Sequence, residues 1–314
     1  MTGLPLVSIV TPSFNQARFL EETIRSVQSQ DYPNAEHLVL DGGSTDGSLD
    51  IIHRYAENLA YWVSEADRGQ SHAINKGFAR AGGEILSWLN SDDLLRPGAI
   101  TRAVAGLAGH PEAHFIYSDL NVKDELTGKT TCCKSWPIDF AGLLAHGDII
   151  PQPTVFMRRS LLDRVGMLDE TLHMSMDYDL WLRATATGPA VYLPGPPLAT
   201  ARVHENAKTF AEHARFAGEI LRILDRVYSD PHTPESGLRV KRAAYACAFW
   251  FAAYRCAVNG HEYREAAHLF RISLAWRPLS SWRRPLGTMR MLAHIILGAP
   301  AVYLKRLGGT KIPR

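Results

Sequence analysis

The chain has 314 residues, of which 46% are hydrophobic and 21% charged, and its formal net charge is +2 at pH 7. That length holds one large domain with an appendage, and the composition excludes a disordered chain. The near-neutral balance excludes a general electrostatic case for nucleic acid, so no nucleic-acid partner is expected.

In chain order, the first part alternates strand and helix signals. Val7 to Thr11 is a β-rich run stopped by the turn Pro12-Ser13-Phe14-Asn15, and Arg18 to Gln30 then sets Phe19, Leu20, Ile24 and Val27 at helical spacing. Glu36 to Leu40 is a second strand, ended by Asp41-Gly42-Gly43-Ser44. Thr45-Asp46-Gly47-Ser48 opens the next helix, with Asp46 as its N-cap and Leu49, Ile51 and Ile52 along it. Tyr61 to Ser64 is a third strand and Ser71 to Ala81 a third helix. Glu84 to Leu89 is a fourth strand, nearly all apolar, as expected of one buried on both faces. Strand, turn and helix in repetition predict a parallel α/β sheet.

Beyond Pro97 the pattern predicts a helix, then a strand over Phe115 to Asp119. A mixed stretch follows over 120–175, with an apolar patch from Ile149 to Met157, and a helix starts at Asp177. From Glu205 onward the pattern is helical only. Ala243 to Cys256 and Tyr263 to Trp276, separated by Asn259-Gly260, read as an antiparallel hairpin, and no second copy recurs at a fixed period. The expected division is an α/β domain over 1–205 and a helical extension over 206–314.

The cysteines form no framework: Cys132 and Cys133 are adjacent, and Cys247 and Cys256 lie in a helical pattern far from any His/Cys cluster. Such usage fits small buried hydrophobes in a reducing compartment. The N-terminus runs into the strand without the basic region of a secretion signal. The longest apolar stretch, Met291 to Leu304, is interrupted by His294, Gly298 and Pro300 and falls short of the ~20 residues a spanning helix needs. A cytoplasmic protein is expected. From Arg277 on, the chain carries Arg and Lys but no Asp or Glu, together with Trp282 and Tyr303. That mixture suits a helix lying on an anionic membrane surface, at the inner face of the plasma membrane, or equally a helix packed on the rest of the chain.

In parallel sheets, ligands bind at the carboxyl ends of the strands. The polar clusters Ser13 to Asn15, Asp41, Glu65 to Asp67 and Asn90 to Asp93 all follow strands. Acidic groups converging on one edge would repel one another without a cation. A hard divalent ion, Mg2+ or Mn2+, prefers carboxylate oxygens and keeps positions open for phosphate. Asp92 and Asp93 suit that task, although Ser-Asp-Asp triplets also cap helices. The chemistry such an ion serves is neutralisation of a departing diphosphate, as on a nucleotide-sugar.

Ordered segments over about residues 5–205 resemble the family 2 glycosyltransferases. They are Val7-Ser8-Ile9-Val10-Thr11-Pro12-Ser13-Phe14-Asn15, Leu40-Asp41-Gly42-Gly43-Ser44-Thr45-Asp46-Gly47 and Ser64-Glu65-Ala66-Asp67-Arg68-Gly69-Gln70. Ala73-Ile74-Asn75-Lys76-Gly77, Gly83 through Asp93, Met176 through Arg183 and Arg202-Val203-His204 follow in the family's order. The resemblance implies the GT-A fold, a mixed α/β sheet with helices on both faces. It also implies inverting transfer from a nucleotide-diphosphate sugar, expected to be UDP-linked, to a glycan or lipid-linked acceptor in cell-surface polysaccharide assembly.

By the same resemblance, Asp41 contacts the nucleotide base, with Pro12 and Ser13 beside it, although Gly42 stands where many relatives have a second acidic residue. Asp67 is a base or ribose contact, or else the partner of Arg68. Asn75 belongs to the nucleotide set, and Lys76 is equally a surface charge. Asn90 takes the first position of the Asp-X-Asp metal motif and offers a ribose or water hydrogen bond without charge. Asp92, the motif's last position, is the direct metal ligand, and His204 is a further one. Asp177 is the catalytic base, with Met176 where relatives usually carry Glu. Asp179 pairs with Arg183 along the helix, and Trp181 is core or a wall of the sugar pocket. Gln152 and Thr154 lie in an acceptor-side loop, or else in a rigid turn shaped by Pro151 and Pro153. A sugar-nucleotide pyrophosphorylase would want a Gly-rich basic loop where Pro12 to Asn15 stand, and an inactive nucleotide-binding scaffold would be favoured had Asp92 or Asp177 been lost.

Overall fold

A computed structural model describes residues 3–204, 213–258, 262–277, 288, 289, 291 and 292. The chain divides into two compact units, one of residues 1–140 with 148–205 and one of 141–147 with 206–314. The short segment 141–147 thus groups with the later helices, across the division expected from sequence.

In the first unit, β1 (Val7–Ser13), α1 (Ala17–Gln28), β2 (Ala35–Asp41), α2 (Ser48–Tyr55), β3 (Tyr61–Ser64), α3 (Gln70–Arg80) and β4 (Ile85–Trp88) alternate as predicted. Then come β5 (Leu94–Leu95), α4 (Ala99–Gly109), β6 (Phe115–Tyr117), β7 (Leu120–Asp124) and β8 (Thr130–Cys133). After α5 (Phe140–His146), which leaves this unit, β9 (Phe156–Arg158), α6 (Arg159–Val165), α7 (Met176–Thr187), β10 (Ala190–Tyr192) and β11 (Ala199–Val203) complete it.

Seven strands form one sheet in the order β10-β6-β9-β4-β1-β2-β3. Within it β1 is an interior strand, buried at all seven positions and paired in parallel with β2 and β4. Its two faces are separate by alternation. Val7 and Ile9 pack with Val27, Ile100, Ala103 and Leu107 from α1 and α4, whereas Val10 lies against Gly77 of α3. Helices therefore cover both faces.

Two details depart from the sequence pattern. The first strand runs on through Pro12 to Ser13 rather than stopping at Thr11. Leu89 N donates to Val10 O and Gly42 N to Ser13 O, so alternation turns Pro12 toward β4. The β4 pairing ends at Val10↔Trp88, and the N–H that proline lacks is not needed there. The second departure is β9, which runs antiparallel to both β4 and β6. The sheet is mixed, as the family resemblance implied, and not wholly parallel.

A second sheet, β5-β11-β7-β8, has no counterpart in the sequence reading. All four residues of β8 are exposed, Cys132 and Cys133 among them, so the expectation that these cysteines are buried is corrected. Cys247 and Cys256 are buried as expected. Trp181 proves to be core: it is 0% exposed, stacked on Trp88 at 5.5 Å and tilted against Phe115 at 5.0 Å.

The second unit holds α8 (His213–Ser229), α9 (Glu235–Arg239), α10 (Lys241–Val258) and α11 (Tyr263–Trp276). The last two form the predicted antiparallel hairpin. Ser273 Oγ donates to Ala246 O at 2.7 Å, Arg242 Nε to Trp276 O at 3.0 Å and, at the turn end, Glu262 N to Cys256 O at 2.9 Å. Among the described residues no helix is long and apolar enough to cross a membrane. Asn259-Gly260, Trp282 and 293–314, including Tyr303, lie outside the described residues.

Gly77 sets the depth at which α3 sits on the sheet. A Cβ there would lie 2.3 Å from Val10 Cγ1 and 2.9 Å from Leu40 Cδ2. Alanine's better helix propensity is worth about 1 kcal/mol at most, against roughly 1–3 kcal/mol for forcing a packed interface apart. Gly77→Ala is therefore expected to lower stability, read as a reduced midpoint in urea melts; an unchanged or higher midpoint would show that α3 shifts freely.

Candidate active site

The loops that leave the carboxyl ends of β1 and β2 are joined side chain to backbone. Asn15 N donates to Ser44 Oγ at 2.7 Å and Asn15 Oδ1 accepts from Thr45 N at 2.9 Å. Asn15 holds φ +51°, a left-handed conformation that asparagine tolerates. Asp46 is not the N-cap expected of it: Gly47 holds that position on α2, and Asp46 stands one residue before it. Its Oδ1 accepts from Ser48 N at 3.1 Å and Ser48 Oγ at 2.6 Å, and its Oδ2 caps the neighbouring α1 by accepting from Ala17 N at 2.8 Å.

Asp41 is 2% exposed. Its Oδ2 accepts from Gly43 N (3.1 Å), Ser44 N (2.9 Å) and Ser64 Oγ (2.7 Å), and its Oδ1 from Ser44 Oγ (2.5 Å). The carboxylate expected to meet a base thus folds its own loop and fastens the end of β3. Ser13 Oγ, by contrast, is buried without a hydrogen-bond partner, and such a group calls for an explanation. Pro12 lies next to it, and Phe14, for which no role is expected from the sequence, is 60% exposed. Asp67 does not pair with Arg68. Its Oδ1 accepts from Gly69 N at 2.7 Å, and Arg68 pairs with Glu170 at 2.5 Å. Asp67 Oδ2 lies 2.8 Å from where a Cβ on residue 42 would stand. That explains Gly42: the acidic residue of relatives would displace Asp67.

The start of α3 is fastened to the loop that leads into α7. Asn75 Nδ2 donates to Leu168 O (2.9 Å) and Glu170 Oε1 (3.3 Å), and its Oδ1 accepts from Leu168 N (3.0 Å). Both amide donors are therefore used within the protein, and Asn75, expected among the nucleotide contacts, ties α3 to this loop. Lys76 pairs with Glu65, and Ser71 Oγ donates to Leu172 O at 3.0 Å. This loop delivers Asp177 to the first turn of α7, half-buried, with its Oδ1 accepting from Tyr178 N at 2.9 Å. Asp179 is buried and paired with Arg183 at 2.8 Å as expected, and Met176 is buried too, on the apolar side.

The loop after β4 carries the acidic cluster. Asn90 Oδ1 accepts from Gln70 Nε2 at 2.7 Å, and its Nδ2 stands 3.4 Å from Asp93 Oδ2 and 3.4 Å from Gln152 Oε1. Gln152 Nε2 donates to Trp88 O at 2.7 Å, and Thr154, 0% exposed, donates to Pro151 O and accepts from Ser118 N. Gln152 and Thr154, expected on the acceptor side, therefore brace the loop through these hydrogen bonds. Asp93 is buried, with Oδ1 accepting from Arg202 N at 3.3 Å. Burial and, second, the neighbouring Asp92 carboxylate push its carboxyl well above the usual range. Asp92 faces His204 instead, with Oδ2 and Nε2 3.2 Å apart. The Asp92 side chain is 22% exposed and that of His204 3%.

A hard oxygen and an imidazole nitrogen converging in this way suit an ion of the Mn2+ type whose remaining positions go to phosphate and water. Among the described residues there is no cluster of three or more His, Cys, Asp and Glu fit for a metal, so the protein by itself supplies part of a shell and not a cage. Asp93 is not a ligand, because its oxygens are turned to Arg202 and Asn90. The geometry sets His204, just after β11, beside the loop that carries Asn90 and Asp92. Asp41, Ser13 and Asp67 lie at the neighbouring strand ends, and the loop before Asp177 is tied to the start of α3 by Ser71.

A family model described as glycosyl transferase family 2 matches residues 8–164. An uncharacterized glycosyltransferase of Mycobacterium tuberculosis is 33% identical over 186 residues, 59% of this chain and 70% of that protein. Another, from Rickettsia typhi, is 29% identical over 215 residues, 66% of this chain and 67% of that protein. Among solved structures, S. aureus TarS in complex with UDP-GlcNAc is similar with a TM-score of 0.62 at 15% identity, over 89% of this chain and 92% of that one. The mannosyltransferase PcManGT from Pyrobaculum calidifontis, in complex with GDP-Man and Mn2+, gives 0.62 at 23% identity, over 99% and 89%. At these identities the structural likeness is one of fold, and the fold is GT-A.

Asp46 offers a test of how the two loops are joined. Partial burial pushes its carboxyl up, but hydrogen bonds from Ser48 and Ala17 more than offset this and hold it below the usual value. A carboxyl depressed on folding stabilises above its unfolded pKa of about 3.9 and loses that effect as pH falls through the folded value. Asp46→Ala should lower stability at pH 7 by about 1 kcal/mol, as loss of a cap does. The gap to wild type in urea melts should narrow below about pH 4; a gap that stays constant on acidification would refute the assignment.

Proposed function

We propose, from the premise that the chain belongs to glycosyl transferase family 2, that it is an inverting enzyme moving a sugar from a UDP-linked donor to a glycan or lipid-linked acceptor. The observation that carries the reading is the Asp92–His204 pair, facing at 3.2 Å beside the carboxyl end of β4. Asp92 and His204 would hold a divalent ion, Mn2+ or Mg2+, which when bound supplies Lewis-acid neutralisation of the leaving diphosphate. The Mn2+ in the PcManGT complex supports that choice, and the GDP-Man and UDP-GlcNAc in the two complexes support a nucleoside diphosphate sugar as donor.

The other groups follow from chemistry at the same edge. The exposed ring of Phe14, the unpartnered hydroxyl of Ser13 and the Asp67 oxygen beside Gly42 suit a nucleoside, with Pro12 shaping the turn. Asp41 serves the nucleotide at one remove, by fixing the loop that ends β2. Asp177 is the general base. It takes the proton of the acceptor hydroxyl as that oxygen bonds to the anomeric carbon, and the bond from this carbon to the diphosphate breaks with its electrons leaving on the diphosphate. The first turn of a twelve-residue helix favours the ionised form that a base requires. We place the enzyme in cell-surface polysaccharide assembly at the inner face of the plasma membrane, a reading supported by the basic, aromatic-bearing run after Arg277.

The two carboxylates are separable by experiment. Asp92→Ala should weaken nucleotide diphosphate binding in the presence of Mn2+ by about tenfold or more, the range for an impaired metal site, with little change when metal is left out. Asp177→Asn should leave donor binding intact and slow transfer by about 100-fold to 10,000-fold, as removal of a general base does. Calorimetry with and without Mn2+, paired with transfer assays, reads both; full transfer by Asp177→Asn would end the base assignment.

A further inference from the structure

Arg202 precedes His204 by two residues on β11, and its side chain is 1% exposed. Its Nε donates to the carbonyl of Asp92. Its Nη2 donates to Phe19 O at 3.1 Å and Thr23 Oγ1 at 3.1 Å, and its Nη1 to Glu22 Oε2 at 2.7 Å. The guanidinium lies 4.7 Å from the centroid of the Phe19 ring, and that same ring packs 4.4 Å from the imidazole of His204. Thr23 Oγ1 in turn stands 2.8 Å from both Ser91 O and Asp93 O, its single proton serving one of them at a time. Three successive carbonyls of the loop, from Ser91 to Asp93, thus face groups supplied by Arg202 or by α1.

We infer that Arg202 is a positioning residue which, with Thr23, sets the Asp92 carboxylate opposite His204 and so fixes the spacing of the proposed metal ligands. The inference rests on the metal reading given above. A buried guanidinium costs several kcal/mol unless its donors are met, and here each nitrogen meets an acceptor. The direction of the fork separates geometry from charge. Were its purpose to neutralise the acidic cluster, it would engage the Asp92 carboxylate, as arginine does bidentately elsewhere. It engages the main-chain carbonyl instead, and its charge is opposed by Glu22, whose side chain is 65% exposed. Through Phe19 the same helix also bears on His204, so both ligands are referred to α1. Lysine, a point donor without the fork, cannot reproduce this.

The test uses the full chain with UDP and, in parallel, GDP as probes. Free Mn2+ is followed by its paramagnetic resonance signal, and nucleotide binding without metal by calorimetry. Arg202→Lys and Thr23→Val are expected to raise the apparent Kd for Mn2+ in the presence of nucleotide by about 10-fold to 100-fold, the range seen when groups behind metal ligands are lost. Metal-free nucleotide affinity should stay within about twofold of wild type in both. Wild-type Mn2+ affinity in Arg202→Lys overturns the inference, and so does an equal fall of metal-free nucleotide affinity, which would mark a merely structural role. If Arg202→Lys does not fold, Thr23→Val decides, and unchanged Mn2+ affinity there is the overturning result. A wild-type protein whose nucleotide binding ignores Mn2+ would instead remove the metal reading itself, a failure visible before any variant is made.

Discussion

The loops at the carboxyl edge of the main sheet have no ladder partner beyond the last residue of each strand, and their backbone groups need other hydrogen-bond partners. Side chains meet that need. Asp41 takes the amides of Gly43 and Ser44, Asp46 those of Ala17 and Ser48, Asn75 both main-chain groups of Leu168, and Thr154 the amide of Ser118. Arg202 and Thr23 do the same for the carbonyls between Ser91 and Asp93. Most of the polar character of this edge is therefore scaffold, and the chemistry is left to the few groups that the scaffold does not consume.

That division explains what could be read from the residues alone. The strands β1, β2 and β4 were legible because each is a short, mainly buried run ended by turn formers, and the alternation with helices was legible for the same reason. Strand direction leaves no mark on hydrophobic pattern, so the apolar patch that ends at Met157 gave no sign of the antiparallel course of β9. The second sheet left still less: β5 has two residues, and β8 is exposed at every position, with no buried face to impose a period. Residue type marked the edge as polar but could not say which polar groups face inward. Gln152, Thr154 and Asn75 look like ligand contacts in a string of letters and are hydrogen-bonded struts in the fold. Arg202 was legible only as part of a motif, since its bond to Thr23 spans 179 residues.

The acidic cluster shows the same lesson in electrostatic terms. Several carboxylates at one sheet edge suggest mutual repulsion, and repulsion suggests a cation. The structure relieves most of it without one. Asp41 is enclosed by donors, Glu65 is paired with Lys76, and Asp67 accepts from Gly69 N. Asp93 is buried, pushed toward its neutral form by that burial and by Asp92, and turned to Arg202 N. Asn90 stands where the motif has a carboxylate and carries no charge.

What remains is Asp92, which faces the imidazole of His204 and also bears on the buried Asp93. Repulsion is thus a small part of the argument for a metal here, and the case for one rests on a single oxygen–nitrogen pair of the right hardness. A two-ligand site of this kind leaves most of an octahedral shell open. Its affinity for the free ion is expected to be weak and to rise when a diphosphate completes the shell, which couples metal occupancy to the donor's arrival. In such a site small errors in ligand spacing matter more than in a full cage, because no further protein ligand is present to compensate. This is the physical reason for a buried, four-way-bonded guanidinium to sit immediately behind the pair.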